Sequence, residues 1–149
     1  MNSGQNIIIK TENNSINIPQ YATIGSAGFD IRAYCEESII IKPNETKLIP
    51  TGLFMEIPQG YEGQIRSRSG LALNNKIVVL NSPGTIDSDY RGEIKVILHN
   101  FGKNNFVIEN NMRVAQMIIV KYEKVNFIKQ NELNKTNRDN GGFGSTGVK

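Results

Sequence analysis

The densest run of chemically capable side chains is Thr85-Ile86-Asp87-Ser88-Asp89-Tyr90-Arg91-Gly92-Glu93, entered through Asn81-Ser82-Pro83-Gly84 and left through Ile94-Lys95-Val96. It reads as a hairpin with a functional lip. Side chains two residues apart on an extended segment point to one side, so Asp87 and Asp89 could share a proton, a metal or a water, or simply fix the turn. On the local pattern alone, fixing the turn is the commoner use of such carboxylates. A second cluster, Arg66-Ser67-Arg68-Ser69-Gly70, gathers two guanidinium groups, two hydroxyls and a helix start. Those donors suit phosphate oxygens, and a solvated basic turn is the alternative.

Short strands must position both clusters. Ile and Val dominate the apolar residues and occur in brief runs bounded by Gly, Pro, Asn and Asp rather than at helical spacing. The runs predict strands over 6–11, 29–33, 38–41, 46–50, 53–57, 62–66, 77–80, 92–100, 106–108 and 113–125. Lys42-Pro43-Asn44, Pro58-Gln59-Gly60 and Phe101-Gly102-Lys103-Asn104 supply turns between them. This spacing belongs to an all-β sandwich or barrel. One short helical turn is expected from Ser69 through Leu73 to Asn75, with Ser69 as its cap.

From about Gln130 the composition shifts to Asn, Lys, Thr, Arg and Asp, then to Asn140-Gly141-Gly142-Phe143-Gly144-Ser145-Thr146-Gly147. A glycine-rich terminus is usually disordered. Phe143, however, is a lone aromatic among residues that bring backbone N–H groups and hydroxyls together, so the arm could wrap a phosphate and stack on a base. The expected division is a single β domain over 1–131 and a flexible arm over 132–149.

The 149 residues fit one domain with one core. Apolar runs such as Met117-Ile118-Ile119-Val120 are far shorter than the roughly 20 residues of a membrane span, so no membrane partner is expected. No signal peptide is expected either, which makes a cytoplasmic location the default. Cys35 is the only cysteine and His99 the only histidine, excluding an intrachain disulfide and thiolate-rich or His-pair metal sites. Packing is the expected task of Cys35, and a structural or surface task that of His99. A net charge of +3 suits an anionic ligand but, without a clustered basic stripe, does not point to nucleic acid.

Five segments in order, Ala27-Gly28-Phe29-Asp30-Ile31, Arg68-Ser69-Gly70-Leu71-Ala72, Gly84 through Gly92, Arg113-Val114-Ala115-Gln116 and Gly141 through Gly147, closely resemble the five motifs of trimeric dUTPases. The resemblance spans residues 27–147. It implies a distorted jelly-roll barrel and a homotrimer whose three active sites each draw on all three subunits. One subunit would supply the segments around Asp30, Arg68 and Gln116, a second the 81–95 hairpin, and the third its arm.

By the same resemblance Asp87 activates the water that attacks the α-phosphorus of dUTP, giving dUMP and pyrophosphate, a role that fits the demands of general-base chemistry. Arg68, Ser69, Gly70 and Gln116 match the family's phosphate contacts, and Arg138, Gly144, Ser145 and Thr146 its closing lid. Asn81, Thr85, Ile86 and Lys95 match the hairpin that recognises uracil, Phe143 the aromatic that stacks over it, and Tyr90 the ring that packs under deoxyribose and excludes a 2′-hydroxyl. Mg²⁺ is implied, held by the triphosphate and waters, with Asp30 reaching it only through water.

Three positions depart from the family pattern: Ser67 replaces a proline, Thr85 an aliphatic residue, and Asp139 a glycine, the last placing a negative charge near the lid. Two competing readings remain distinguishable. The related dCTP deaminases require a glutamate base beside cytosine, whereas the motif here carries Asp87. A non-catalytic nucleotide-binding jelly-roll would have no need of every motif residue.

Overall fold

The computed structural model of the protein describes residues 6–142. In chain order the elements are β1 (Ile8–Thr11), β2 (Phe29–Arg32), β3 (Ile39–Ile41), β4 (Thr46–Glu56), β5 (Tyr61–Arg66), one π-helical turn (Leu71–Asn75), β6 (Ile77–Val79), β7 (Gly84–Ile86), β8 (Ile94–Asn100), β9 (Phe106–Ile108) and β10 (Arg113–Lys121). They form two four-stranded sheets, ordered β1-β4-β8-β6 and β2-β10-β5-β7, and a β3-β9 ribbon. All pairings are antiparallel.

Alternation along the strands explains the layering. On β8, Ile94, Val96, Leu98 and Asn100 are buried while Lys95, Ile97 and His99 face outward, the period of two that a half-buried strand requires. Ile49, Val96 and Leu98 from the first sheet share one core with Ile31, Ile65 and Met117 from the second. Burying each such aliphatic side chain contributes roughly 1.5–3 kcal/mol. The jelly-roll is therefore present as two open sheets over a common core. Among the described residues no ladder closes into a barrel, because β1, β6, β2 and β7 remain sheet edges.

Several boundaries differ from those expected. Segments 46–50 and 53–57 are one strand, β4, interrupted by two extra residues: Pro50 lies opposite Lys95 and Leu53 opposite Ile94. Gly52, at φ +64°, makes that bulge possible. Gly84–Ile86 is a strand paired with β5, and β10 ends at Lys121 rather than Val125. The helical turn has Gly70 rather than Ser69 as its N-cap, and no side chain caps it. Ser67 is the hydroxyl that engages the backbone there, accepting the Val79 N–H at 2.8 Å. Left-handed Lys76 closes the turn.

Buried Asn100 is satisfied on every side. Its Nδ2 donates to the carbonyls of Ile41 (2.9 Å) and Asn104 (2.8 Å), and its Oδ1 accepts the Gly102 N–H (2.8 Å). His99 bonds Thr46 through Nδ1 and packs at a tilt against Phe101, and burial pushes the Cys35 thiol up, away from the reactive thiolate. Both singletons thus take structural positions. After β10, the Tyr122 N–H bonds the Gly60 carbonyl, and residues 123–140 are exposed. No helix among the described residues is long and apolar enough to cross a membrane.

Candidate active site

The motif residues gather into two groups. The first straddles the edge of the β2-β10-β5-β7 sheet. Asp30 on β2 lies opposite Gln116 on β10, which in turn lies opposite Arg66 on β5. Arg68, just beyond β5, turns back so that its Nε–H donates to Asp30 Oδ1 at 2.9 Å, while Arg113 approaches Oδ2 at 3.4 Å. A second Arg68 nitrogen, Nη1, donates to the Arg113 carbonyl at 3.4 Å. Gln116 Nε2 donates to the Ser67 carbonyl at 3.0 Å and so braces the backbone next to Arg68. Ser69 and Gly70 follow in exposed positions. Two guanidinium groups are thus oriented by one carboxylate, with the following backbone free to meet an anion.

Close packing sets this group. A Cβ at Gly28 would sit 3.0 Å from the Met117 carbonyl and from Ile118 Cγ1, so glycine lets the strand entering Asp30 lie close against β10.

The second group is the β7–β8 hairpin, where Thr85, Ile86, Asp87, Tyr90, Glu93 and Lys95 line a cleft of about 290 Å³. Ile86 is half-buried, and the other expected contacts, Asn81, Thr85, Asp87, Tyr90 and Lys95, are exposed. Asn81 folds back toward the strand start, where a Cβ at Gly84 would lie 3.0 Å from its Nδ2. The Ser82–Pro83 peptide is cis. Asp87 begins a turn in which its carbonyl accepts the Tyr90 N–H at 3.2 Å. The Tyr90 hydroxyl donates to the Glu93 carbonyl at 3.0 Å, pinning the ring across the turn.

That turn corrects the expectation that Asp87 and Asp89 share a side. The chain leaves the extended conformation at Asp87, and Asp89 lines a different cleft with Ser88, Arg91 and Glu56. Among the described residues Asp87 has no ion-pair partner, because Lys95 pairs with Glu93 at 3.3 Å. The hairpin therefore presents an unpaired carboxylate at the mouth of a small cleft with one aromatic wall.

The two groups do not meet within one chain. Ile86, the residue before Asp87, lies opposite Gly63, three residues or about 10 Å along β5 from Arg66. Arg138 lies elsewhere again, exposed, its Nε–H bonded to the Gly141 carbonyl at 2.8 Å. Asp139 follows in a left-handed turn, its N–H bonded to Thr136 Oγ1. Phe143, Gly144, Ser145 and Thr146 lie outside the described residues.

Three residues beyond the expected set hold the groups in place. Arg113 and Ser67 fix the first, and each falls in or beside a motif segment, a signal for their roles. Glu93 fixes the second, and its sequence signals are its place at the end of the polar hairpin run and the opposite charge of Lys95 two positions on.

Comparison with known proteins completes the picture. The dUTPase family pattern matches residues 14–147. The chain is 57% identical over 141 residues to a deoxyuridine 5'-triphosphate nucleotidohydrolase of Rickettsia felis, covering 95% of each chain. It is 55% identical over 148 residues to the protein of that name in Rickettsia akari, covering 99% of this chain and 100% of the relative. A solved structure of the Staphylococcus bacteriophage 80alpha dUTPase with dUPNHPP superposes with a TM-score of 0.86 at 25% identity, covering 97% of this chain and all of the other. With five ordered motifs, the jelly-roll sheets and relatives matched nearly end to end, the chain belongs to the dUTPase family.

Proposed function

We propose that the protein hydrolyses dUTP to dUMP and pyrophosphate in the cytoplasm, limiting uracil incorporation into DNA and supplying dUMP for thymidylate synthesis. The observation that carries this reading is the hairpin cleft, where Asp87 stands exposed and unpaired beside Tyr90 and Lys95. An unpaired carboxylate is able to accept a hydrogen bond from water and take its proton as the oxygen attacks the α-phosphorus. The bond from the α-phosphorus to its bridging oxygen then breaks and pyrophosphate departs. No covalent enzyme intermediate is needed, because positioning and charge neutralisation carry most of phosphoryl transfer.

The triphosphate would lie along Arg68, Ser69 and Gly70, with Gln116 holding that segment in place. Asn81 and the backbone of Thr85, Ile86 and Lys95 would hydrogen-bond uracil, while Tyr90 would pack beneath the deoxyribose and reject a 2′-hydroxyl. Separation of Asp87 from the Arg68 group supports a homotrimer in which neighbouring copies bring these two groups to one substrate. The arm of residues 132–149 would close it, Arg138, Gly144, Ser145 and Thr146 at the γ-phosphate and Phe143 over the base.

Magnesium fits this arrangement as an ion carried on the triphosphate. Both Asp30 oxygens already face guanidinium groups, which suits an outer contact through water and not direct ligation. When bound, the ion would neutralise charge on the phosphate chain.

The test is hydrolysis of dUTP, dTTP, dCTP and UTP with and without magnesium, following pyrophosphate and ammonia. Magnesium-dependent release of pyrophosphate from dUTP, with the other three turned over far more slowly, is the expected result. Sustained ammonia release from dCTP, or equal turnover of dUTP and UTP, would overturn the proposal.

A further inference from the structure

Glu93 lines the cleft but belongs to neither the base, the sugar nor the phosphate contacts proposed above. Its Oε1 accepts two backbone N–H groups from β4, those of Thr51 at 3.1 Å and Gly52 at 2.9 Å. These are the two extra residues of the β4 bulge, whose N–H groups the ladder between β4 and β8 leaves without a strand partner. Thr51, itself buried, completes the closure by donating Oγ1–H to the Ile94 carbonyl. The other Glu93 oxygen holds Lys95 at 3.3 Å, and the Glu93 carbonyl receives the Tyr90 hydroxyl at 3.0 Å.

One residue thus connects the rigid sheet to the cleft wall. The carboxylate fixes Glu93 to a strand more than forty positions earlier, and the backbone of Glu93 fixes the Tyr90 ring. Tyr90 is 44% exposed and has no other hydrogen-bonded anchor for its hydroxyl among the described residues. With Glu93 unanchored, the ring, which leans over the neighbouring Gly92, would shift within the cleft and leave room for an extra hydroxyl on the sugar. Charge-assisted bonds to two N–H groups, partly shielded from water, are strong enough to prevent that.

We propose that Glu93 is a positioning residue that sets sugar selectivity by locking Tyr90 to the Thr51–Gly52 bulge. This rests on the reading of the protein as a dUTP hydrolase in which Tyr90 faces the deoxyribose.

The experiment compares kcat/KM for dUTP and for UTP in the full-length protein and its variants with magnesium. Any loss of folded protein lowers both values equally and cancels in their ratio. Glu93→Ala is expected to lower the ratio by about tenfold, the scale of losing one net ordering interaction. Glu93→Gln keeps an oxygen able to accept both N–H groups and should stay within about twofold of the parent. Glu93→Asp keeps the charge but is one methylene short of the bulge, so it should behave like Ala and serves in its place if Ala does not fold.

An unchanged ratio in Ala or Asp would overturn the proposal. So would a Gln variant as unselective as Ala, since the ion pair to Lys95 would then be what matters. If the parent itself fails to prefer dUTP over UTP, the functional reading falls first, a result visible before any variant is examined.

Discussion

Arg68 and Asp30, thirty-eight positions apart, meet through a single 2.9 Å bond from Nε–H to Oδ1, and the second oxygen of the same carboxylate faces Arg113 at 3.4 Å. A carboxylate among residues meant to receive a triphosphate is electrostatically unfavourable unless orientation matters more than charge. Both side chains are only partly exposed, 25% and 34%, so the arginine is held rather than sampling solvent.

Asp30→Ala tests which effect wins. Losing the carboxylate raises the local positive charge, which at physiological salt is screened within about 8 Å. It also frees the Arg68 guanidinium, and a hydrogen bond to a charged group is worth about 1.5–3 kcal/mol. Orientation should dominate, so kcat/KM for dUTP is expected to fall by about tenfold or more. Asp30→Asn, which still offers an oxygen to the Nε–H, should lose less. A rise in kcat/KM for either variant would show that charge, not orientation, governs the segment.

Asp87→Asn should separate binding from chemistry. An amide of the same shape leaves the cleft intact but accepts a proton poorly, and general-base contributions are typically about 10²–10⁴-fold. The expected outcome is a loss of kcat in that range, with affinity for a non-hydrolysable dUTP analogue within severalfold of the parent by calorimetry. Parent-like turnover would remove Asp87 from the role of base.

Much of this was legible in the residues themselves. The β-branched runs located most strands, and the ordered motifs contain both groups of residues that the fold gathers at the candidate site. Long-range relationships were not legible. Segments 46–50 and 53–57 read as separate strands because the Gly52 bulge breaks the alternation, although β8 pairs with both as one strand. Asp87 and Asp89 read as neighbours on one face because the turn bond from Tyr90 to Asp87 is invisible to a period-two rule. Glu93 stood in the hairpin's polar run but drew no role, since its partners, Thr51 and Gly52, are distant in sequence.

Asn100→Ala should be among the most destabilising single changes in the first sheet. It removes a fully buried amide that satisfies two carbonyls and one N–H, leaving those groups without partners. Of the three, only the Ile41 carbonyl sits in a fully buried bond, and orphaning it costs roughly 1–3 kcal/mol. A shift of the urea midpoint equivalent to about 2 kcal/mol or more is expected, measured at fixed protein concentration so that assembly does not enter the comparison.

Glu45 supplies a pH-dependent contribution outside the site. Its Oε2 accepts the Lys42 N–H at 2.7 Å and its Oε1 pairs with Lys47 at 2.9 Å. The Lys42 N–H first, and then Lys47, hold its carboxyl below the ordinary value of 4.5. A carboxyl lowered on folding stabilises fully above its unfolded pKa and loses that contribution as pH falls through the folded value. Glu45→Gln should therefore melt slightly below the parent at pH 7, with the gap closing below about pH 4. A constant gap from pH 7 to pH 3 would show that the carboxylate charge contributes nothing there.

Removal of residues 138–149 should stop turnover while sparing the fold. The buried core draws on residues 29–117, and among the described residues the last backbone bond between the strand body and the chain beyond β10 is from Tyr122 to Gly60. Arg138 and its neighbours make hydrogen bonds only within their own turn among the described residues. Among the described residues nothing from 138 onward packs against the core, so the melting temperature should change little. If the arm closes the site, however, the truncated protein loses the cation and hydroxyls that would meet the γ-phosphate. Turnover of dUTP should then fall by at least about 10²-fold, since positioning supplies much of the acceleration in phosphoryl transfer. Asp139→Gly in the full chain refines the test by removing the negative charge beside Arg138. It should lower KM for dUTP if the arm meets the triphosphate at that point, and a fully active truncation would show that the site closes without it.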